Sequence, residues 1–207
     1  MSNRSKGWGL TPEGVRPQQF DPHVLPDGLP VPVDDGAAEH LTGAELPDLV
    51  LPSSQGAVNI RDFEVLYVYP RTGRPDRPLL PGWDEIPGAR GCTPQSCGFR
   101  DHSGELTALG ARIVGVSAQS LDDQIEFAER NQMPFPVISD EWLDLARNPG
   151  LPTFEVVGLT LYKRLALVAE RGRIVKVFYP VFPPDRSVEE VIEWLASSRS
   201  AMGRSGS

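Results

Sequence analysis

Cys92 and Cys97 are the two cysteines of a chain of 207 residues, and they stand in the run Gly91-Cys92-Thr93-Pro94-Gln95-Ser96-Cys97-Gly98-Phe99-Arg100-Asp101. Two cysteines are too few for a disulfide scaffold. Chemistry is therefore the first reading, and a pair of inert buried thiols is the plain alternative. Cys92 falls where a loop gives way to what reads as a helix start. Backbone N–H groups in a first helical turn are unpaired and carry partial positive charge, so a thiolate placed there is stabilised and becomes a competent nucleophile. Pro94 suits that first turn, where a missing N–H costs little. Cys97 lies deeper and reads as a more ordinary thiol. Five helical residues amount to about 7.5 Å of rise and about 140° of rotation, whereas a disulfide needs Cα atoms within about 7 Å and converging Cβ vectors. The two cannot bond while the helix is intact, so pairing would require the first turn or two to unwind. His102 leaves a further alternative, with Cys92, Cys97 and His102 as three zinc ligands. A structural zinc site wants four ligands and closer cysteines.

Elements must hold these residues in place. Residues 64–70 (EVLYVYP) form a short apolar run of aromatic and β-branched residues stopped by proline, and read as a buried strand. Residues 111–118 (ARIVGVSA) read as a second strand and 135–138 as a shorter one. Residues 165–169 and 174–179 flank an Arg-Gly-Arg turn and read as a hairpin. Ser120 precedes Asp123 by three positions, and Leu121, Ile125 and Ala128 then share a face, which predicts an N-cap and an amphipathic helix. Ser187 and Glu190 have capping-box spacing, followed by Val188, Val191, Ile192 and Leu195 at helical spacing. Phe99, His102, Leu106 and Leu109 give a weaker stripe. Helices alternating with strands, then a terminal hairpin and helix, predict a three-layer α/β fold. Residues 1–43 are rich in Pro, Gly and Asp and read as an extended, disordered arm. The small-residue tail 197–207 reads as disordered too, which leaves 44–196 as the domain. The Pro-rich segment 71–85 is inserted directly before the cysteines, as functional loops often are.

Composition narrows the partners. Acidic residues outnumber basic ones, 28 to 20, for a net charge of −8. With no basic run, nucleic-acid binding is not expected. No apolar stretch is long enough to span a membrane. No apolar segment follows the basic residues of MSNRSKGWGL, so a cytoplasmic location is expected. There is no phosphate-binding glycine loop, GxSxG elbow or HExxH motif.

The run GCTPQSCGFRD (91–101) resembles the active-site helix of peroxiredoxins of the Q type, also called bacterioferritin comigratory proteins. The resemblance extends over about residues 45–195. It takes in ELPDLVLPSSQGAVNIRDF (45–63), the strand ending in Tyr69-Pro70, GARIVGVSAQ (110–119), FPVISDEW (135–142) and KRLALVAERGRIVKVFYP (163–180). It implies a thioredoxin-like α/β/α sandwich with a mixed central sheet. It implies that Cys92 is the peroxidatic cysteine, which attacks a hydroperoxide and becomes a sulfenic acid. Cys97 would be the resolving cysteine, closing an intramolecular disulfide that thioredoxin or a similar dithiol reduces. Arg164 matches the family's active-site arginine, holding the thiolate and polarising the peroxide; a plain strand-edge arginine is the alternative, and Lys163 stands beside it. The resemblance calls for no metal, haem, flavin or other cofactor, and implies a monomer or weak dimer.

Two positions depart from the family pattern. It has a Pro seven residues and a Thr three residues before the peroxidatic cysteine, where this chain has Glu85 and Ala89. A hydroxyl from Thr72 in the inserted loop, or from the adjacent Thr93, is expected to stand in for the missing threonine. Trp83 in the same loop is read as packing, or as a wall of the substrate pocket; Trp142 and Trp194 are read as core or loop packing. The alternative functions are a thioredoxin-fold thiol–disulfide oxidoreductase and a redox switch without efficient peroxidase activity. A rate of reaction with peroxide no faster than that of a free thiol would favour them.

Overall fold

A computed structural model describes residues 21–204 of the chain. The elements run β1 (Val50–Ser53), β2 (Gly56–Asn59), β3 (Val65–Val68), α1 (Cys92–Asp101), α2 (Ser103–Ala108), β4 (Ile113–Ser117), α3 (Leu121–Arg130), β5 (Val137–Ser139), α4 (Asp144–Arg147), β6 (Thr153–Val156), β7 (Leu159–Tyr162), β8 (Leu165–Glu170), β9 (Arg173–Phe178) and α5 (Ser187–Arg204). Seven strands form one mixed sheet in the order β2-β1-β5-β4-β3-β8-β9, with β6 and β7 as a separate hairpin. The central strands β3, β4 and β5 are parallel, and β8, β9 and β1 join antiparallel.

Every residue of β3 and β4 is buried, because both faces of the sheet are covered. Alternate residues point to opposite faces. Val65, Tyr67 and Tyr69 pack with Phe99 of α1, Leu106 of α2, Phe127 of α3 and Val191 of α5. Leu66 and Val68 face the other way, onto Leu145 of α4 and onto Ala38, Leu41 and Leu46. Helices make one outer layer. The other is made by α4 and by the chain preceding β1. This is the expected three-layer α/β/α arrangement with a mixed sheet.

The second layer explains why residues 21–43 do not match the expectation of disorder. Leu41 is fully buried, Asp35 pairs with Lys163, and the Tyr179 hydroxyl donates to Asp35 Oδ1 at 2.6 Å. The face that these residues cover would otherwise expose β-strand side chains to water. The first part of the expected arm, residues 1–20, lies outside the described residues. The tail expected to be disordered from 197 is helical to Arg204; residues 205–207 are outside the described part.

Ser120 caps α3 as expected, its Oγ accepting from the Asp123 N–H at 3.3 Å. Ser187 does not form its expected cap. A 3-10 turn (Pro184–Arg186) leads directly into α5, so Ser187 is already helical (φ −52°, ψ −37°) and its buried hydroxyl has no hydrogen-bond partner among the described residues. Trp194 packs on the helical side of the core, but Trp142 is 78% exposed and is not core. Among the described residues no helix is long and apolar enough to cross a membrane.

Candidate active site

The site forms where β3 ends and α1 begins. The inserted loop runs between them, and α1 is seated on the sheet by Phe99, which stacks on Tyr67 of β3 with ring centroids 4.5 Å apart. Gly91 is the N-cap of α1, with φ 97° and ψ 21°. Only glycine adopts that conformation easily. A Cβ there would also collide with Pro184 and Leu25. Cys92 is thereby fixed as the first helical residue, and the helix's positive end falls at the sulfur. Pro94 has no N–H, which leaves the amides of Cys92 and Thr93 as the first-turn donors without an intrahelical acceptor.

Arg164 comes from the short link between β7 and β8 and is only 4% exposed. Its Nη2 donates to Cys92 Sγ at 3.1 Å. The same guanidinium donates to three successive carbonyls, those of Gly88 (3.1 Å), Ala89 (3.1 Å) and Arg90 (3.0 Å), and to Gln95 Oε1. These bonds curl residues 88–90 around the cation and lock its plane against the sulfur. Among the described residues no carboxylate lies within ion-pairing distance of it. A buried cation without a counterion is costly, and the one ionisable group that it contacts is the Cys92 thiol. Lys163 points elsewhere and pairs with Asp35. Of these two neighbours, Arg164 is the one that reaches the Cys92 sulfur.

Cys97 faces away from this cluster. Its Sγ is 3.9 Å from Asn131 Oδ1, at the end of α3, and 3.9 Å from His23 Nδ1. Burial pushes its thiol pKa up, opposed by the nearby Arg100. Both cysteines are free thiols, and among the described residues they share no hydrogen-bonding partner. His102 contacts Glu105 rather than either cysteine, and among the described residues no three His, Cys, Asp or Glu side chains are placed to hold a metal ion. The zinc alternative therefore has no geometry behind it.

The two departures from the family pattern have distinct surroundings. Ala89 is fully buried, and its carbonyl accepts from both Arg164 and the Cys92 thiol (3.5 Å). Glu85 is exposed and does not shield the sulfur. Pro22, Leu79 and Trp83 line the small cavity at Cys92 instead. Of the two candidate hydroxyls, Thr72 is occupied: its Oγ1 donates to Gln119 Oε1 at 3.0 Å, and its N–H donates to the same oxygen at 2.7 Å. Thr93 is 2% exposed, lines the cavity beside Cys92, and its Oγ1 has no hydrogen-bond partner among the described residues. Gln95 is a site residue that sequence reasoning missed. Its position three residues after Cys92, on the same helical face, was the available signal. The contacts of Pro22 and His23 carried no such signal.

With this geometry in hand, comparison with known proteins is direct. The Redoxin family model matches residues 41–192. The chloroplastic peroxiredoxin Q of Sedum lineare is 30% identical over 161 residues, covering 75% of this chain and 77% of that protein. The chloroplastic peroxiredoxin Q of Gentiana triflora is 26% identical over 183 residues, covering 84% and 77%. Among solved structures, peroxidoxin BcpB from Mycobacterium tuberculosis superposes with a TM-score of 0.59 at 24% identity over 75% of this chain and 96% of that one. The bacterioferritin comigratory protein of Xanthomonas campestris gives 0.60 at 23% identity, over 76% and 98%. Fold and site define a thioredoxin-like thiol peroxidase. The chain belongs to the Q-type peroxiredoxins of the redoxin family.

Proposed function

We propose that the chain reduces hydroperoxides with Cys92 as the attacking thiolate, Cys97 as the resolving thiol and Arg164 as the group that holds both the thiolate and the peroxide. The Cys92 sulfur attacks the terminal peroxide oxygen. An S–O bond forms, the O–O bond breaks, and the departing oxygen takes a proton to leave as an alcohol or water. Cys92 is now a sulfenic acid, oxidised by two electrons. Cys97 loses its proton and attacks the Cys92 sulfur, an S–S bond forms, and the sulfenic oxygen leaves as water. A thioredoxin-type dithiol returns the two electrons and two protons.

The observation that carries this reading is the buried Arg164 guanidinium, 3.1 Å from Cys92 Sγ and without a carboxylate partner among the described residues. The Thr93 hydroxyl supports it, being a buried donor at the cavity with no partner among the described residues and so the group to orient the peroxide in place of the absent threonine. Resolution needs α1 to open at its start, since Cys97 is turned toward Asn131 and His23.

Turnover of hydrogen peroxide with a thioredoxin system, followed with intact-protein mass spectrometry, tests the scheme. Cys92→Ser should abolish turnover. Cys97→Ser should accumulate Cys92 as sulfenic acid or higher oxides, with no internal disulfide. Undiminished turnover by Cys92→Ser would overturn the proposal.

A further inference from the structure

Resolution needs Cys97 as a thiolate, yet its surroundings favour the thiol. The sulfur is half-buried, and burial pushes its pKa up. Asn131 Oδ1, 3.9 Å away, accepts from the S–H and so favours the protonated form. The charged groups that face it are Arg100 and Asp101 of α1 and Arg130 of α3. The two arginines are already cations, and Asp101 is taken up by Arg100, whose Nε donates to its Oδ1 at 2.8 Å. Tyr67 of β3 lies on the buried side of α1, and burial pushes its phenol up, so it keeps its own proton. Among the described residues that leaves one proton acceptor at the sulfur, His23, whose Nδ1 is 3.9 Å from Cys97 Sγ.

The turn that delivers this ring is seated on α1. The His23 N–H donates to Asp21 Oδ1 at 2.9 Å, and the Val24 N–H donates to the Asp21 carbonyl at 3.3 Å. Pro22 is buried and lines the cavity at Cys92. Leu25 lies against the helix start, where a Cβ on Gly91 would meet its Cδ2 at 2.8 Å. The same turn therefore touches the start of α1 and the thiol further along it. His23 itself is exposed, so its ring exchanges protons with water. Imidazole is the side chain that trades a proton near neutral pH.

We infer that His23 is the base of the resolving step, its Nδ1 taking the Cys97 proton as that sulfur attacks the Cys92 sulfenic acid. The inference rests on the peroxidase reading above and adds a residue to it. With the ring proton on Nε2, Nδ1 offers its lone pair to the S–H. The S–H bond breaks to Nδ1, the S–S bond forms, and the S–O bond of the sulfenic acid breaks. The departing hydroxyl takes a proton through solvent from the imidazolium, so one water leaves and the ring is neutral again. Cys97 stays beside His23 in this step, because α1 opens at its start and Cys92 is the residue that travels.

The test mixes reduced full-length protein with one equivalent of hydrogen peroxide. Timed quenches with dimedone, read by mass spectrometry, separate sulfenic acid from disulfide. In His23→Gln the conversion of sulfenic acid to disulfide, a first-order phase independent of peroxide concentration, should slow at least about tenfold at neutral pH. In the native protein that phase should quicken between about pH 5 and pH 7 and then level off. In the variant it should keep climbing about tenfold per pH unit above neutrality, as the unaided thiol ionises. Added imidazole should speed the phase in His23→Ala. A conversion rate in His23→Gln within about twofold of native, with the same pH profile, would overturn this inference and leave the peroxidase reading standing. A slower phase that keeps the native pH profile and is not rescued by imidazole would show the ring only to position α1, and would overturn it too. Native protein that forms the sulfenic acid but no internal disulfide would overturn the resolving role of Cys97 itself, and this inference with it.

Discussion

Among the described residues the charged side chain bonded to the Cys92 sulfur is that of Arg164, and the proposed chemistry turns on it. Arg164 is buried, is held by three carbonyls and Gln95, and among the described residues has only the sulfur as an ionisable partner. Replacing it with glutamine should slow oxidation of Cys92 by hydrogen peroxide by about 10²–10³, the range seen when one preorganised donor to a developing charge is lost. Stopped-flow fluorescence would read this directly. The two threonines should separate in the same assay. Thr93→Val should slow oxidation by about tenfold or more, with Thr93→Ser restoring most of it. Thr72→Val should act mainly on stability, since its hydroxyl is tied to Gln119. At this scale much was legible beforehand. Cysteine at a glycine-preceded helix start is a local pattern, so the position of Cys92 at the start of α1 could be read from neighbours in the chain, whereas Arg164 was singled out only by the family resemblance, with Lys163 beside it. The lock around Arg164 could not be read, because it is made of main-chain carbonyls, which no residue type advertises. Nor could Thr93 be chosen over Thr72, because that depends on a long-range contact to Gln119.

Among the elements, α1 carries the conflict on which the mechanism depends. An intact helix places Cys92 against Arg164, while Cys97 is held at the end of α3. Formation of the proposed Cys92–Cys97 disulfide would therefore loosen the first turns of α1, a local opening rather than a global one. Helix starts also show where sequence pattern succeeds and where it fails. Ser120 and Ser187 have the same cap-like spacing to an acidic residue, yet only Ser120 caps. The 3-10 turn before α5 had already made Ser187 helical, and pattern reading does not see the preceding turn. Ser120→Ala should cost about 1 kcal/mol in urea unfolding, the usual value for a lost cap. Ser187→Ala should be neutral or slightly stabilising, since a buried, unpartnered hydroxyl is removed. Equal losses for the two variants would contradict this account. The β6–β7 hairpin was not anticipated either, because it lies outside the main sheet and its exposed first strand residues lack a clean alternation.

Across the whole molecule, the fold completes its second outer layer with a segment that composition alone marks as disordered. Proline, glycine and aspartate dominate residues 21–43, and no helical or strand period survives in them. Burial of Ala38, Leu41 and Leu46 against the sheet nevertheless holds them down. Sheet coverage is a requirement of the whole fold, which is why local composition misjudged it. Leu41→Ala should cost about 2–5 kcal/mol, as for other fully buried leucines, with the loss read in urea unfolding; a change below about 0.5 kcal/mol would show the segment to be dispensable. The same segment brings Pro22 to the Cys92 cavity and His23 to Cys97, so the parts that cover the sheet also reach the site.

The central claim is that Arg164 and the start of α1 hold Cys92 ready to react with peroxide. It is tested most directly by the second-order rate constant of fully reduced protein with one equivalent of hydrogen peroxide, set against free cysteine at the same pH. The account predicts a constant at least about a hundredfold above that of free cysteine, accompanied by loss of two hydrogen atoms from the protein mass. A constant equal to that of free cysteine would contradict it.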